Sequence, residues 1–334
     1  MQGKRLNYID RLKGLAIFMV VFGHVLVYGL QNYDDIFRVF ASSFHMPLFM
    51  FLSGLVISKI PTPRKFVVKA IRYLCPFFII GLLFNFYVGR SLNVFFLDKA
   101  KSGYWYLWVL TEFYALLMLL WCNHNNKNTR GIIIDIFFLA FVFAVFVFLE
   151  SHSPVLSDIF TFGSCKNYWP FFFGGYLFHK YNLIKFMKAY ARLISSVSVI
   201  VYICMFYVAV TFHLSSFVNA ITGVAAICFL LLLFEEREMR NSFWDKELLR
   251  LGNNSLEIYI FEYFFLVNIN LHYLEVWFIQ SHNYFLQLLF VLFMAIAISY
   301  SSLFVGKLSH KAGLLDDVIY GKFASKFIKY NESI

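Results

Sequence analysis

Runs of about twenty apolar residues recur along nearly the whole of this 334-residue chain, and that is the length an α-helix needs to cross the hydrocarbon of a bilayer. Inside hydrocarbon a backbone N–H or C=O has no water to bond, so each run must close its own hydrogen bonds as helix. The pattern places ten spans, at 12–30, 40–58, 71–88, 104–122, 131–149, 168–180, 193–212, 215–234, 252–272 and 284–306. They predict an all-α fold, a polytopic membrane helical bundle of about ten transmembrane helices. Composition agrees: 60% of residues are hydrophobic and 14% charged, where a soluble domain carries about a quarter charged. No stretch is left for a second folded domain, so the chain divides into a membrane domain, 1–306, and a short basic tail, 307–334. The sixth span is short and holds Gly174-Gly175, which predicts a tilt or a close approach to a neighbour through small residues.

The formal net charge is +10. On a soluble protein that would suggest a nucleic-acid partner. Here Lys and Arg crowd into short loops between apolar runs, where membrane topology accounts for them and no nucleic acid is needed. With the N-terminus in the cytoplasm, 24 of the 29 Lys and Arg fall on the cytoplasmic side, and Arg38, Arg90, Lys99, Lys101 and Lys166 fall outside. That bias predicts an even number of spans with the N- and C-termini both cytoplasmic. Lys4, Arg5, Arg11 and Lys13 before the first run resemble a signal peptide, but Val27-Tyr28-Gly29-Leu30 is a poor cleavage site, so the run is expected to remain as an uncleaved helix. Cys75, Cys122, Cys165, Cys204 and Cys228 form no C-x-x-C pair, which predicts isolated thiols, with neither a disulfide framework nor a metal site. The charged stretch 235–250 reads as a solvated interfacial helix.

Ionisable side chains within spans are costly and are functional candidates by default. The first span carries the densest set. Lys13 and His24, eleven residues apart, fall about 20° from a common helix face, and Asp10 and His24 about 40°. His24 then lies about 16 Å beyond Lys13 along the axis. Asp10 and Lys13 also read as interfacial charges snorkelling to water; the ring of His24 cannot reach that far. His45, early in the second span, sits at similar depth in the outer half of the membrane, and also reads as an interfacial histidine bonding a carbonyl. Pro47 beside it frees a backbone carbonyl. Histidine takes and returns a proton near neutral pH, and a carboxylate can fix its tautomer. Asp10 is too far along the helix for that task. Glu112 in the fourth span and Glu262 in the ninth are the alternatives, each equally readable as a structural hydrogen-bonding group.

Before the third span, Lys65, Lys69 and Arg72 are spaced i, i+4, i+7 and share a helix face at the cytoplasmic surface. That face fits phosphates or, as a topology anchor, anionic lipid heads. The chain has no P-loop, no H-E-x-x-H zinc motif and no G-x-S-x-G nucleophile elbow.

The run Tyr8-Ile-Asp10-Arg-Leu-Lys13-Gly14 through Gly23-His24 resembles the opening helix of the acyltransferase-3 family of membrane acyltransferases. Phe44-His45-Met46-Pro47-Leu48-Phe49, continuing to Ser53-Gly54, resembles its second helix as seen in the sugar O-acetyltransferase branch. Lys69-x-x-Arg72 with Pro76, Tyr104-Trp105-Tyr106-Leu107, Phe171-Phe-Phe-Gly174 and Gly252-Asn-Asn-Ser255-Leu256-x-Ile-Tyr259 resemble later family motifs in the right order, over about 250 residues. The first two motifs are specific; the later ones are weak alone.

The resemblance implies a protein of about ten spans in the bacterial inner membrane. It would move an acyl group, commonly acetyl from acetyl-CoA, to a hydroxyl of a cell-surface glycan or its lipid-linked precursor. His24 would be catalytic, with His45 as a second acid/base or oxyanion stabiliser and Asp10 shaping the stripe. Lys13, Lys65, Lys69 and Arg72 would receive the acyl-CoA, which is a donor substrate and not a resident cofactor. Lys13 stands where the family usually has arginine, and so lacks the planar fork that grips an anion bidentately. Glu262 stands where the family often has histidine. The tail is too short for the extracytoplasmic esterase-like domain of some relatives, so a stand-alone form is expected. The competing reading is a transporter or flippase of lipid-linked sugars, with Glu112, Glu262 and the histidines as proton relays; it predicts an internal repeat, and none is evident. A non-catalytic membrane partner in a glycan-assembly complex is a third reading.

Overall fold

The computed structural model describes residues 7–32, 36–212, 216–236 and 242–325. Lys4 and Arg5, residues 237–241 of the charged stretch and the tail beyond 325 lie outside the described residues. Those described are helical, with no strand among them. In chain order the main helices are α1 (Asn7–His24), continued by a π-helical turn at Val25–Gly29, α2 (Ile36–Ser42), α3 (His45–Leu55), α4 (Pro63–Tyr87), α5 (Trp105–Leu117), α6 (Thr129–His152), α7 (Phe162–Lys180), α8 (Ala191–Phe212), α9 (Ser216–Glu236), α10 (Phe243–Asn253), α11 (Ser255–Leu266) and α12 (Tyr284–Lys311).

Eight stretches among the described residues are long and apolar enough to cross a membrane. This is an integral membrane protein of all-α class. Two of the ten sequence-derived spans take another form. The sixth lies in α7, a 19-residue helix that also contains Lys166, His179 and Lys180. The ninth is broken at Asn254, and α11 beyond the break has only 12 residues, about 18 Å of helix. The chain forms two compact units, residues 1–52 with 182–304, and residues 53–181 with 305–334.

In the first unit α1 lies against α10 at backbone contact. A Cβ on Gly14 would overlap the Leu248 carbonyl, and one on Gly252 would overlap the Asp10 carbonyl, so both positions need a residue without a side chain. Arg11 closes the same seam, donating to Asp245 at 2.7 Å and to the Phe234 carbonyl at 3.0 Å. Ser242 caps α10 by accepting the Asp245 N–H at 3.2 Å, which satisfies an end group the helix cannot satisfy itself. These contacts refine the reading of 235–250 as a solvated interfacial helix: one face packs on α1, while the other, with Phe243 and Trp244, stays exposed. On the packed face Asp245 is buried, and Leu251 and Gly252 just beyond the stretch are buried with it.

In the second unit α3 meets α7 at Gly54, whose Cβ would overlap the Phe172 carbonyl. This close approach to the sixth predicted span is made by Gly54 of its neighbour; a Cβ on Gly174 would meet nothing, and Gly175 is buried. Phe113, Trp169, Phe172 and Phe173 fill the core beside it. Asn128 caps α6, accepting the Gly131 N–H at 2.9 Å. α4 starts at Pro63, and its cap Thr62 accepts the Lys65 N–H at 3.4 Å. Lys65, Lys69 and Arg72 thus stand on the first turns of a 25-residue helix and not in a loop ahead of it.

Candidate active site

The π turn begins at the residue after His24. Such turns widen a helix locally and concentrate at functional sites. Here the turn carries Tyr28, whose ring meets the His24 ring edge-on at 5.6 Å between centroids. On the other side stands α11. Because Gly252 touches α1 at Asp10, and Glu262 touches it at His24, α1 and the α10–α11 stretch run side by side in the same direction. Fourteen residues separate the contacts on α1, about 21 Å of helix, so Asp10 takes no part at the His24 ring. The carboxylate there is Glu262.

The Nδ1–H of His24 donates to Glu262 Oε1 at 3.0 Å. Glu262 is wholly buried, and its other oxygen has no hydrogen-bond partner. With the proton on Nδ1, the lone pair of the ring is on Nε2, and Nε2 accepts the Tyr263 hydroxyl at 3.3 Å. Tyr263 lies 5.0 Å from His24 and 5.7 Å from Tyr28 between ring centroids. The His24 side chain keeps 22% of its surface accessible, so the ring is not sealed. A neutral imidazole with a fixed tautomer, a buried carboxylate behind it and an open edge in front is the constellation that takes a proton from a hydroxyl and stabilises the imidazolium formed.

His45 belongs to the same unit and lies close enough to His24 for their charges to interact. Its Nδ1–H donates to the Ala41 carbonyl at 2.6 Å, the local carbonyl bond weighed from the sequence. That bond leaves Nε2 with a lone pair, so the neutral ring suits proton acceptance and not oxyanion stabilisation.

The remaining candidates fall into place differently. Glu112 is in the second unit, held by the Cys165 thiol at 2.9 Å. Lys69 lies there too, its ammonium 3.5 Å from the centre of the Tyr114 ring, with the Tyr114 hydroxyl donating to the Ser53 carbonyl at 3.2 Å and the Tyr106 hydroxyl paired with Ser53 Oγ at 2.9 Å. Lys65 and Arg72 are exposed. Lys13 sits half-buried near the start of α1, one residue from Gly14 of the seam.

Sequence reasoning missed Tyr28 and Tyr263, because tyrosine is common in spans and neither has a motif spacing. It also missed two buried ion pairs. Arg11–Asp245 was hidden by a stretch read as solvated. Lys180–Asp135, at 2.6 Å with both side chains 1% exposed, was in plain view as charges within apolar runs.

The chain matches the model of an acyltransferase domain over residues 6–304. No curated protein and no solved structure matches it. That match covers nearly the whole chain and agrees with the helical membrane architecture: this chain belongs to the acyltransferase-3 family and is a membrane acyltransferase.

Proposed function

We propose that this acyltransferase moves an acetyl group from acetyl-CoA to a hydroxyl of a cell-surface glycan or its lipid-linked precursor, in the bacterial inner membrane with both termini cytoplasmic. The observation that carries the reading is the hold on His24, with Nδ1 fixed by Glu262 and Nε2 left to act as base. In the reaction Nε2 takes the proton of the acceptor hydroxyl as its oxygen bonds to the thioester carbonyl carbon. The imidazolium, balanced by Glu262, then gives that proton to the departing CoA sulfur as the C–S bond breaks. His45 serves as a second proton acceptor at similar depth. The orientation rests on the Lys and Arg bias, 24 against five. Under it, Lys65, Lys69 and Arg72 lie on the side where CoA is made, with Lys13 and Asp10 at the same end of α1. Lys13, Lys65 and Lys69 would grip phosphate as point charges and Arg72 as a planar fork, which suits a long, flexible donor.

The test is transfer of label from acetyl-CoA into envelope glycan, comparing wild type with His24→Ala at matched membrane abundance. Loss of label in the variant is expected. Full transfer by the variant would sink the mechanism, and no label even from wild type would sink the donor assignment.

A further inference from the structure

The Tyr263 hydroxyl occupies the one position where an acceptor hydroxyl must sit, the lone pair of His24 Nε2, at 3.3 Å. Glu262 and Tyr263 are consecutive, so a single turn of α11 holds both nitrogens of the ring. The Tyr263 ring is buried against His24 and Tyr28, which limits how far its hydroxyl can swing. An acceptor oxygen that displaces it from Nε2 still lies within hydrogen-bond reach of it. The tetrahedral carbon then forms on that oxygen, which brings the developing oxyanion into the same small volume. Neither histidine can serve that charge as a neutral ring: the single N–H of His24 is bound to Glu262 and that of His45 to Ala41.

Resting on the acyl-transfer reading, we propose that Tyr263 is a catalytic residue, whose hydroxyl caps His24 Nε2 at rest, yields that place to the acceptor and turns its proton to the oxyanion. The tyrosine keeps its proton throughout. It loses one hydrogen bond and gains another, so the atoms and charges of the transfer are those already given for His24, acceptor and thioester.

The experiment uses the full chain in membrane vesicles that contain the cell's own envelope glycan, with labelled acetyl-CoA as probe. Tyr263→Phe keeps the ring and removes the hydroxyl. Turnover at saturating acetyl-CoA is expected to fall about 10²-fold, the size seen for a lost oxyanion donor, with KM for acetyl-CoA and thermal stability unchanged. Turnover of Tyr263→Phe equal to or above wild type would overturn the proposal, because the hydroxyl would then only obstruct the base. Should that variant be poorly produced, difluorotyrosine placed at 263 answers the same question. Its phenol ionises at lower pH, so a new loss of turnover on the alkaline side supports proton donation, and an unmoved pH profile refutes it. His24→Ala, run in parallel, separates the two ideas. An inactive His24→Ala beside a fully active Tyr263→Phe leaves acyl transfer standing and removes Tyr263 from it.

Discussion

Two buried pairs of ionisable groups, one in each unit, are built on opposite plans. In the second unit Lys180 donates to Asp135 at 2.6 Å and to the Asn123 carbonyl at 2.8 Å, while Asp135 also accepts Tyr181 and Asn123 at 2.7 Å each. Both oxygens of that carboxylate are used and the pair is sealed. In the first unit Glu262 uses one oxygen, leaves the other without a hydrogen bond, and faces an imidazole that keeps an accessible edge. A satisfied buried network stabilises one arrangement of its helices. A half-satisfied one costs free energy in place, and its position beside a π turn, with an open edge, is the pattern expected where stability has been given up for reactivity. The comparison teaches that buried charge in this membrane protein is not one signal. Of these two pairs, the brace leaves neither carboxylate oxygen unmet and the candidate site leaves one.

Substitutions can break that contrast. The largest expected effect lies outside both pairs, at the seam that brings α11 to His24. Gly14→Val or Gly252→Val, placing a side chain on a neighbouring carbonyl, should abolish both folded protein and transfer, read as loss of a monodisperse peak in detergent. At His24 the expected effect is on chemistry alone. His24→Ala should reduce transfer by about 10³-fold or more while abundance and thermal stability stay near wild type, which base catalysis and tautomer control together can account for. For Lys180–Asp135 the expectation is reversed. Lys180→Met leaves a buried carboxylate uncompensated and should cost about 3–5 kcal/mol, seen as a lower melting temperature in detergent with activity per folded molecule preserved. Joint replacement by Lys180→Met with Asp135→Leu should recover part of that loss. If Lys180→Met instead abolished transfer at full stability, the brace and the site would have to change places.

The smallest effect is expected in the tail. Asp316 accepts His310 and Lys322 at 2.6 Å each. Burial opposes its charge, but these two hydrogen bonds win and hold its carboxyl below the usual carboxylate range. A carboxyl lowered on folding contributes stability above its unfolded pKa, and loses it as pH falls through the folded one. Asp316→Asn should therefore cost less than about 1 kcal/mol at neutral pH, as exposed pairs do, and the difference from wild type in a thermal melt should vanish in strong acid.

Membrane residence, helical class and the candidate base could be read from residue order alone. Apolar runs of spanning length permit one kind of backbone, and His24 within the first run cannot reach water as Lys13 can. The same reading named Glu262 as one of two possible partners and could not choose between them. That choice needed α11 set beside α1, which depends on two glycines 238 residues apart in sequence, Gly14 and Gly252. Tyr263 was illegible for a related reason, as a tyrosine in an apolar run is ordinary until its hydroxyl is found at a particular nitrogen. Asp10 was placed by its helix face and by its distance: it shares the direction of His24 but stands about 21 Å of axis away, too far to touch the ring.

What the sequence by itself determined is whatever depends on local chemistry and period: that the chain enters the bilayer, roughly where, and which side chains are too polar to be there without cause. Only the tertiary structure decided which of those side chains meet. Hydrocarbon exerts no hydrophobic force between one apolar helix and another, so neighbours in a membrane are selected by close backbone approach and by hydrogen bonds across the seam. In this protein those are the Gly14–Gly252 contact, the Arg11–Asp245 pair and the hand-off from Glu262 and Tyr263 to His24, and none of them has a period that a linear reading can detect.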